Sequence, residues 1–310
     1  MGRSLAATIA GTLLAGALDG GQVPATPRMV VTSESRSMSP GELIVLTIVT
    51  PRAVESIRAR AFGRELLPFR INENTWRVLV GIDLETATGR HEVTMEAGSG
   101  SGMDRTSHRL FVTARTFPRR SLTVDDAFVN PPPEAVDRIA RETAELNDLW
   151  AAAGTAKVWD GPFVRPVPDP ANSAFGTRTT LNGQPRSPHG GADFNSAAGT
   201  PIKAPNGGRV ILTGDRYFTG STVVIDHGLT LFSLFAHLST IDVRAGDLIH
   251  AGDVVGKVGA TGRVTGPHLH WGVRLNGARV DPLSLLAVLG PQTRKSLTAK
   301  ADSHTVSHDD

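Results

Sequence analysis

Short β-branched runs broken by glycine turns fill residues 208–275, and this rhythm constrains the fold more than any other feature. The runs are 208–212, 221–226, 231–235, 248–249, 254–258 and 268–275. Each is too short for a helix, and no helical pattern between them supplies a parallel crossover. An antiparallel all-β domain accommodates this pattern, and a doubly wound sheet does not. A second β region precedes it. Residues 41–50 form a β-branched run between prolines, 76–82 are apolar, and 91–97 alternate, with Val93, Met95 and Ala97 set against Glu92, Thr94 and Glu96. Turn signals at 72–74, 88–89 and 98–102 space these runs as in a small β-sandwich. Between the two regions, Val136, Ile139, Leu146 and Leu149 recur at helical spacing from Pro133 to Gly154. That helix is expected to act as a strut, its apolar stripe packed between the domains.

Three pieces of the later region concentrate imidazole and carboxylate groups: His189-Gly-Gly-Ala-Asp193, Phe235-Ala-His237-Leu238 and Gly266-Pro-His268-Leu-His270-Trp271. Side chains alternate faces along a strand, so His268 and His270 share a face about 7 Å apart. His189 and Asp193, four apart, share a face in either extended or helical backbone. Zinc takes imidazole nitrogen and carboxylate oxygen, and a catalytic zinc keeps three protein ligands with one position open. The five candidates exceed that need by two, which leaves two histidines for proton transfer and charge stabilisation.

Composition narrows the chemistry further. Cysteine is absent, so disulfides, thiol catalysis and cysteine-bound zinc are excluded. Any metal must be held by histidine and carboxylate. A net charge of +2 with no basic run gives no reason to expect a nucleic-acid partner. Arg3 followed by an apolar run over 5–17, ending in Ala15-Gly-Ala17, reads as a secretory signal. It falls short of the roughly 20 residues of a spanning helix, and no membrane span is expected.

These pieces together resemble the catalytic domain of the lysostaphin/LytM-type zinc endopeptidases, peptidase family M23. That family is marked by H-x-x-x-D, a later histidine in an aromatic-x-H-L setting and a terminal H-x-H. Gly199-Thr-Pro201, Asp226-His-Gly228 and the glycine-rich 259–266 are similar to its phrases too, so the resemblance covers roughly residues 160–285. It implies that His189, Asp193 and His270 hold Zn2+ and that His237 and His268 are the catalytic pair. It also implies a metalloendopeptidase acting on peptide cross-links of peptidoglycan, exported to a Gram-negative periplasm. Phe235 stands where the family often has tyrosine, so a hydroxyl at that position is missing.

The expected architecture is mainly β. A signal over 1–19 and a linker over 20–28 precede an immunoglobulin-like accessory sandwich at 29–118. A linker with one helix at 119–158 leads to an antiparallel catalytic domain of duplicated hybrid, barrel-sandwich type at 159–290, and a polar, disordered tail follows at 291–310.

A LytM-type activator of a cell-wall amidase, with the amidase as partner, is the alternative function; retention of all three ligands and both histidines favours an enzyme. Residues 243–258 resemble the hammerhead strands of lipoyl and biotinyl carriers, but a carrier has no use for the histidine sets. The glycines of 252–266 do not make a P-loop, because Ala251 and Val258 occupy two of its defining positions. His227 is expected to be a hydrogen-bonding residue, and His91, His108 and His250 surface residues. His304 and His308 match a zinc-helix spacing by chance, Asn182 is expected in a turn, and Arg178 is a candidate groove residue.

Overall fold

The computed structural model describes residues 28–99, 102–123, 129–152, 154–171 and 175–291. The expected signal, nearly all of the 20–28 linker and the 292–310 part of the tail, with His304 and His308, lie outside the described residues.

Eight strands come first: β1 (Val30–Ser35), β2 (Leu43–Val49), β3 (Ser56–Ala61), β4 (Arg64–Leu66), β5 (Phe69–Arg70), β6 (Thr75–Gly81), β7 (Gly89–Ser99) and β8 (Gly102–Val112). They form two four-stranded sheets in the orders β1-β2-β6-β5 and β4-β3-β7-β8. Two antiparallel sheets facing each other across one core make a β-sandwich. The alternation read from the sequence of β7 decides its faces: Val93, Met95 and Ala97 are buried, and Glu92 and Thr94 are exposed. Ile44, Leu46, Ile48, Val78 and Val80 meet Ala59, Val93, Met95 and Leu110 in the core between the sheets.

The Leu43–Leu46 half of β2 is apolar and buried throughout because both of its faces are covered there, the pattern of a strand buried on two sides. Leu43, Val45 and Leu79 point away from the sandwich and join the core of the following domain. A polar knot secures the same junction. Glu42, whose side chain is 1% exposed, accepts from Arg36, Arg115 and the Ser284 hydroxyl, and both arginines also reach Asp281.

The later elements are β9 (Arg119–Leu122), α1 (Pro133–Ala151), β10 (Arg178–Leu181), β11 (Gln184–Pro185), β12 (Gly191–Phe194), β13 (Pro201–Lys203), β14 (Gly208–Arg216), β15 (Gly220–Asp226), β16 (Leu231–Ile241), β17 (Leu248–Ile249), β18 (Val254–Val258), β19 (Leu269–Leu275), β20 (Ala278–Val280) and α2 (Pro282–Leu289). A nine-stranded sheet has the path β12-β19-β16-β15-β14-β17, with β13, β18 and β20 attached beside it. All of its pairings are antiparallel, as expected. A separate three-stranded sheet, β11-β10-β9, contains the one departure: β9 runs parallel to β10.

Two expectations about helices need correction. α1 does not pack its stripe between the domains. Arg138 meets Asp215, Arg216 meets Glu145, Glu142 accepts from the Tyr217 amide, and Trp150 packs edge-on against Phe232. The helix therefore rides on the later β domain, held largely by charged side chains, with Val136 exposed and Ala135 buried in its place. α2 is a second helix beyond the single one expected. Asp281 caps it by accepting from the Leu283 amide, with Pro282 opening the first turn, so the start signal was present in Asp281-Pro282.

His227 has the hydrogen-bonding role expected of it. It is fully buried, with Nδ1 2.7 Å from the Gly207 carbonyl and Nε2 2.9 Å from Ser233 Oγ. Desolvation holds its pKa down to about 4 from 6.5. Between those values the unfolded chain binds the proton and the folded chain does not, so this stability is present above pH 6.5 and lost as pH falls toward 4. The loss is expected to be roughly 3 kcal/mol. Denaturant unfolding at the two pH values should show a smaller decline in His227→Gln than in the wild type.

Candidate functional site

β12, β19 and β16 lie side by side at the end of the large sheet, and their register assembles the site. Asp193 on β12 is paired with His270 on β19, which is paired in turn with Ala236 on β16. The neighbours Ala192, Phe194, Leu269 and Trp271 alternate onto the opposite face and are buried. Phe235 stacks on Trp271 with an interplanar angle of 10°, and the Trp271 Nε1–H donates to Ser233 Oγ. The core thus fixes the strands that present Asp193 and His270. His189 reaches them from the preceding loop, tied by its amide to the Thr177 carbonyl at 3.0 Å and by its carbonyl to the Gly176 amide.

Three donor atoms converge. His189 Nε2 and His270 Nδ1 are 2.9 Å apart, His270 Nδ1 and Asp193 Oδ1 2.9 Å, and His189 Nε2 and Asp193 Oδ1 3.1 Å. Donors around a tetrahedral zinc stand about 3.3 Å apart, given its 2.0–2.1 Å bonds to nitrogen and oxygen. The triangle is close to one face of such a tetrahedron, and the group could hold a metal ion. Each side chain keeps 16–23% of its surface exposed, so the cluster opens to solvent. Burial pushes the Asp193 carboxyl upward, but hydrogen bonds from His189 and His270 outweigh it and hold the group far below the usual carboxylate range. Desolvation pushes the His270 imidazole down. Both shifts favour the protonation states that a metal needs.

Gly191 makes room for this triangle. A Cβ there would stand 2.5 Å from the Trp271 carbonyl oxygen and 2.7 Å from His270 Cε1 and Nε2. Gly191→Ala is therefore expected to swing the His270 ring and weaken metal binding by about 10–100-fold, the range found when a ligand's support is disturbed. Metal titration of the variant against the wild type would measure it.

The other two predicted histidines lie beside the triangle. The His237 ring centroid is 4.9 Å from that of His268 and 6.0 Å from that of His270. His237 occupies left-handed backbone at φ 66°, uncommon for a residue with a Cβ and costing about 1–3 kcal/mol. Its amide donates to the Thr219 carbonyl and its Nδ1–H to the Thr261 carbonyl at 2.9 Å, while His268 Nδ1–H donates to the Gly266 carbonyl at 2.9 Å. With Nδ1 carrying the proton, the neutral ring of each offers Nε2 as an acceptor. Burial first, then the charge of His270, holds the His237 pKa down to about 4, so its imidazole is neutral at pH 7.

All five site residues expected from the sequence come together here. His250 is exposed, and His91 and His108 sit half-buried on the sandwich, away from the cluster. Asn182 has a positive φ in the β10–β11 turn. Lys257, the residue a carrier domain would modify, pairs within the sheet opposite Pro201. Missing from the sequence reading was Thr261: its carbonyl orients His237, its hydroxyl accepts the Ser221 amide and donates to the Leu238 carbonyl. The glycine-rich string around it was visible, but no spacing rule ties a backbone carbonyl to a histidine 24 positions earlier.

Comparison with known proteins places these features. The model of Peptidase family M23 matches residues 187–282, which contain all five side chains. Peptidoglycan DD-endopeptidase ShyA of Vibrio cholerae is 41% identical over 96 residues, 31% of this chain and 22% of that protein. DD-carboxypeptidase/endopeptidase Mpg of Neisseria meningitidis is 40% identical over 97 residues, again 31% of this chain and 22% of the relative. The chain thus spans about a fifth of the length of these curated relatives. A crystal structure of a Pseudomonas aeruginosa protein assigned to peptidase M23 superposes with a TM-score of 0.63 at 36% identity, covering 81% of this chain and 95% of the other. That likeness runs well beyond the five side chains, through nearly the whole of the other molecule, and the chain belongs to peptidase family M23.

Proposed function

We propose that this protein is a zinc metalloendopeptidase that hydrolyses peptide cross-links of peptidoglycan. The observation that carries the reading is the convergence of His189 Nε2, Asp193 Oδ1 and His270 Nδ1 within 3.1 Å, with His237 and His268 alongside. His189, Asp193 and His270 would hold the ion. Bound zinc supplies Lewis-acid polarisation of a carbonyl and lowers the pKa of a water molecule toward about 7. The remaining work falls to the chain's own groups. His237 and His268, each with its Nδ1–H turned to a backbone carbonyl, present Nε2 and can accept a proton during attack and return it to the departing amine. The one that becomes protonated can also donate a hydrogen bond to the developing oxyanion. The Thr261 and Gly266 carbonyls fix the tautomers that these roles require.

ShyA and Mpg carry names that refer to peptidoglycan or to DD-bonds, and this supports the cell-wall substrate. Among the described residues no helix is long and apolar enough to cross a membrane. We place the protein in the periplasm, exported by the signal-like segment over 1–19.

Purified sacculi incubated with the protein, with and without zinc, test the reading. Soluble muropeptides with new peptide termini should appear with zinc and disappear with chelator. Unit zinc binding without products would reject the hydrolase and leave the amidase-activator role, read by adding an amidase.

A further inference from the structure

We propose that the β11-β10-β9 sheet carries an anion-binding groove that receives a free carboxylate of the peptide substrate; the ligand's identity rests on the hydrolase reading above. The groove is an open cavity of about 430 Å³ lined by Arg119, Arg120, Arg178 and Arg186 together with Ser121 and Thr180. No acidic side chain is among the described residues that line it.

The backbone enforces this concentration of charge. The parallel register sets Arg119 directly opposite Arg178, and like charges facing across paired strands are destabilising. Among the described residues the compensation is slight. Glu85 meets Arg178 at 3.3 Å with both side chains about half exposed, an ion pair that contributes little in water. Arg120 donates to Thr179 Oγ1, and Arg186 to the Val129 carbonyl and Gln184 Oε1, all neutral acceptors. Arg186 Nε is buried with no hydrogen-bond partner. A planar guanidinium fork matches a carboxylate with two parallel hydrogen bonds, so an incoming carboxylate would meet the solvent-facing guanidiniums of Arg119 and Arg178.

Position identifies the source of the carboxylate. Thr177, whose carbonyl accepts the His189 amide, is followed immediately by Arg178. Thr180 lies three residues on, about 10 Å along the strand. An extended peptide with its scissile carbonyl at the His-Asp-His triangle would place a carboxylate two or three residues away in the groove. A phosphate-bearing polymer shares the charge but has no reason to begin at a peptide-cleaving centre.

The test is calorimetric, with zinc-loaded full-length protein and a synthetic stem tetrapeptide whose carboxylates are free or converted to carboxamides. The wild type should bind the carboxylate form about tenfold tighter or more, the effect of one charge-assisted hydrogen bond. Arg119→Ala/Arg178→Ala, changed on the solvent side of the sheet, should bind both forms alike while keeping its melting temperature and zinc stoichiometry. Equal binding of the two forms by the wild type, or an undiminished preference in the variant, overturns the proposal. So does a variant that loses affinity for inorganic polyphosphate alone. Cleavage of sacculi is scored separately: a wild type that prefers the carboxylate form but cuts nothing would sink the hydrolase reading and leave the groove standing.

Discussion

Asp193→Ala is expected to bring bound zinc from one ion per chain to nearly none, and peptide hydrolysis with it. Asp193 Oδ1 lies within 3.1 Å of both converging imidazole nitrogens and is the only carboxylate in the triangle. Its loss leaves two imidazoles, one fewer protein ligand than a catalytic zinc site requires. The same change should uncouple metal from stability. Zinc at a hundredfold excess over its Kd stabilises a folded site by about 2.7 kcal/mol if the unfolded chain binds none. Chelator should therefore lower the melting temperature of the wild type and leave that of Asp193→Ala unchanged. Elemental analysis and thermal unfolding, with and without chelator, read both outcomes. A variant that kept stoichiometric zinc would place the metal elsewhere.

His237→Ala should separate turnover from metal binding. The ring is 6.0 Å from that of His270, and none of the three converging donor atoms belongs to it. Zinc content is expected to stay near one per chain while kcat falls by about 10²–10⁴-fold, the usual contribution of a positioned acid or base. Relief of the left-handed backbone is not available to the variant, because alanine at φ 66° also carries a Cβ. A stability gain should therefore not accompany the loss. Near-full kcat would show that His268 or solvent carries the proton unaided.

How much of this was legible in the sequence differs from element to element. The strands of the sandwich could be read because Val93, Met95 and Ala97 alternate with polar residues, and alternation is what one buried face demands. His189 with Asp193 and His268 with His270 could be read as pairs because four-apart and two-apart spacings limit which side chains share a face, and the family resemblance supplied His237 and the division of roles. What brings His237 to the cluster was not readable. Ala236 is paired with His270, and a regular strand would turn the next side chain to the other face; the left-handed turn at His237 keeps it near His270. That conformation is held by the Thr219 and Thr261 carbonyls, contacts from distant positions that leave no local signature.

α1 shows the limit from the other side. Its apolar spacing was real, but the stripe alone could not say which domain it would meet. The choice was made by Arg138, Glu142 and Glu145 pairing with 215–217, and charged residues on a helix look the same in sequence whether solvated or paired. β9 escaped notice for a similar reason. Four consecutive exposed residues, Arg119–Leu122, carry no alternation, and the strand exists because β10 supplies a partner for its backbone.

His189, Asp193 and His270 are expected to hold a single zinc ion. Anomalous scattering at the zinc absorption edge, recorded from crystals of the metal-loaded protein, tests it most directly. One peak is expected about 2.0–2.2 Å from His189 Nε2, Asp193 Oδ1 and His270 Nδ1, the normal range for zinc to nitrogen and oxygen. A peak centred on other side chains, or none in protein that hydrolyses sacculi, would contradict it.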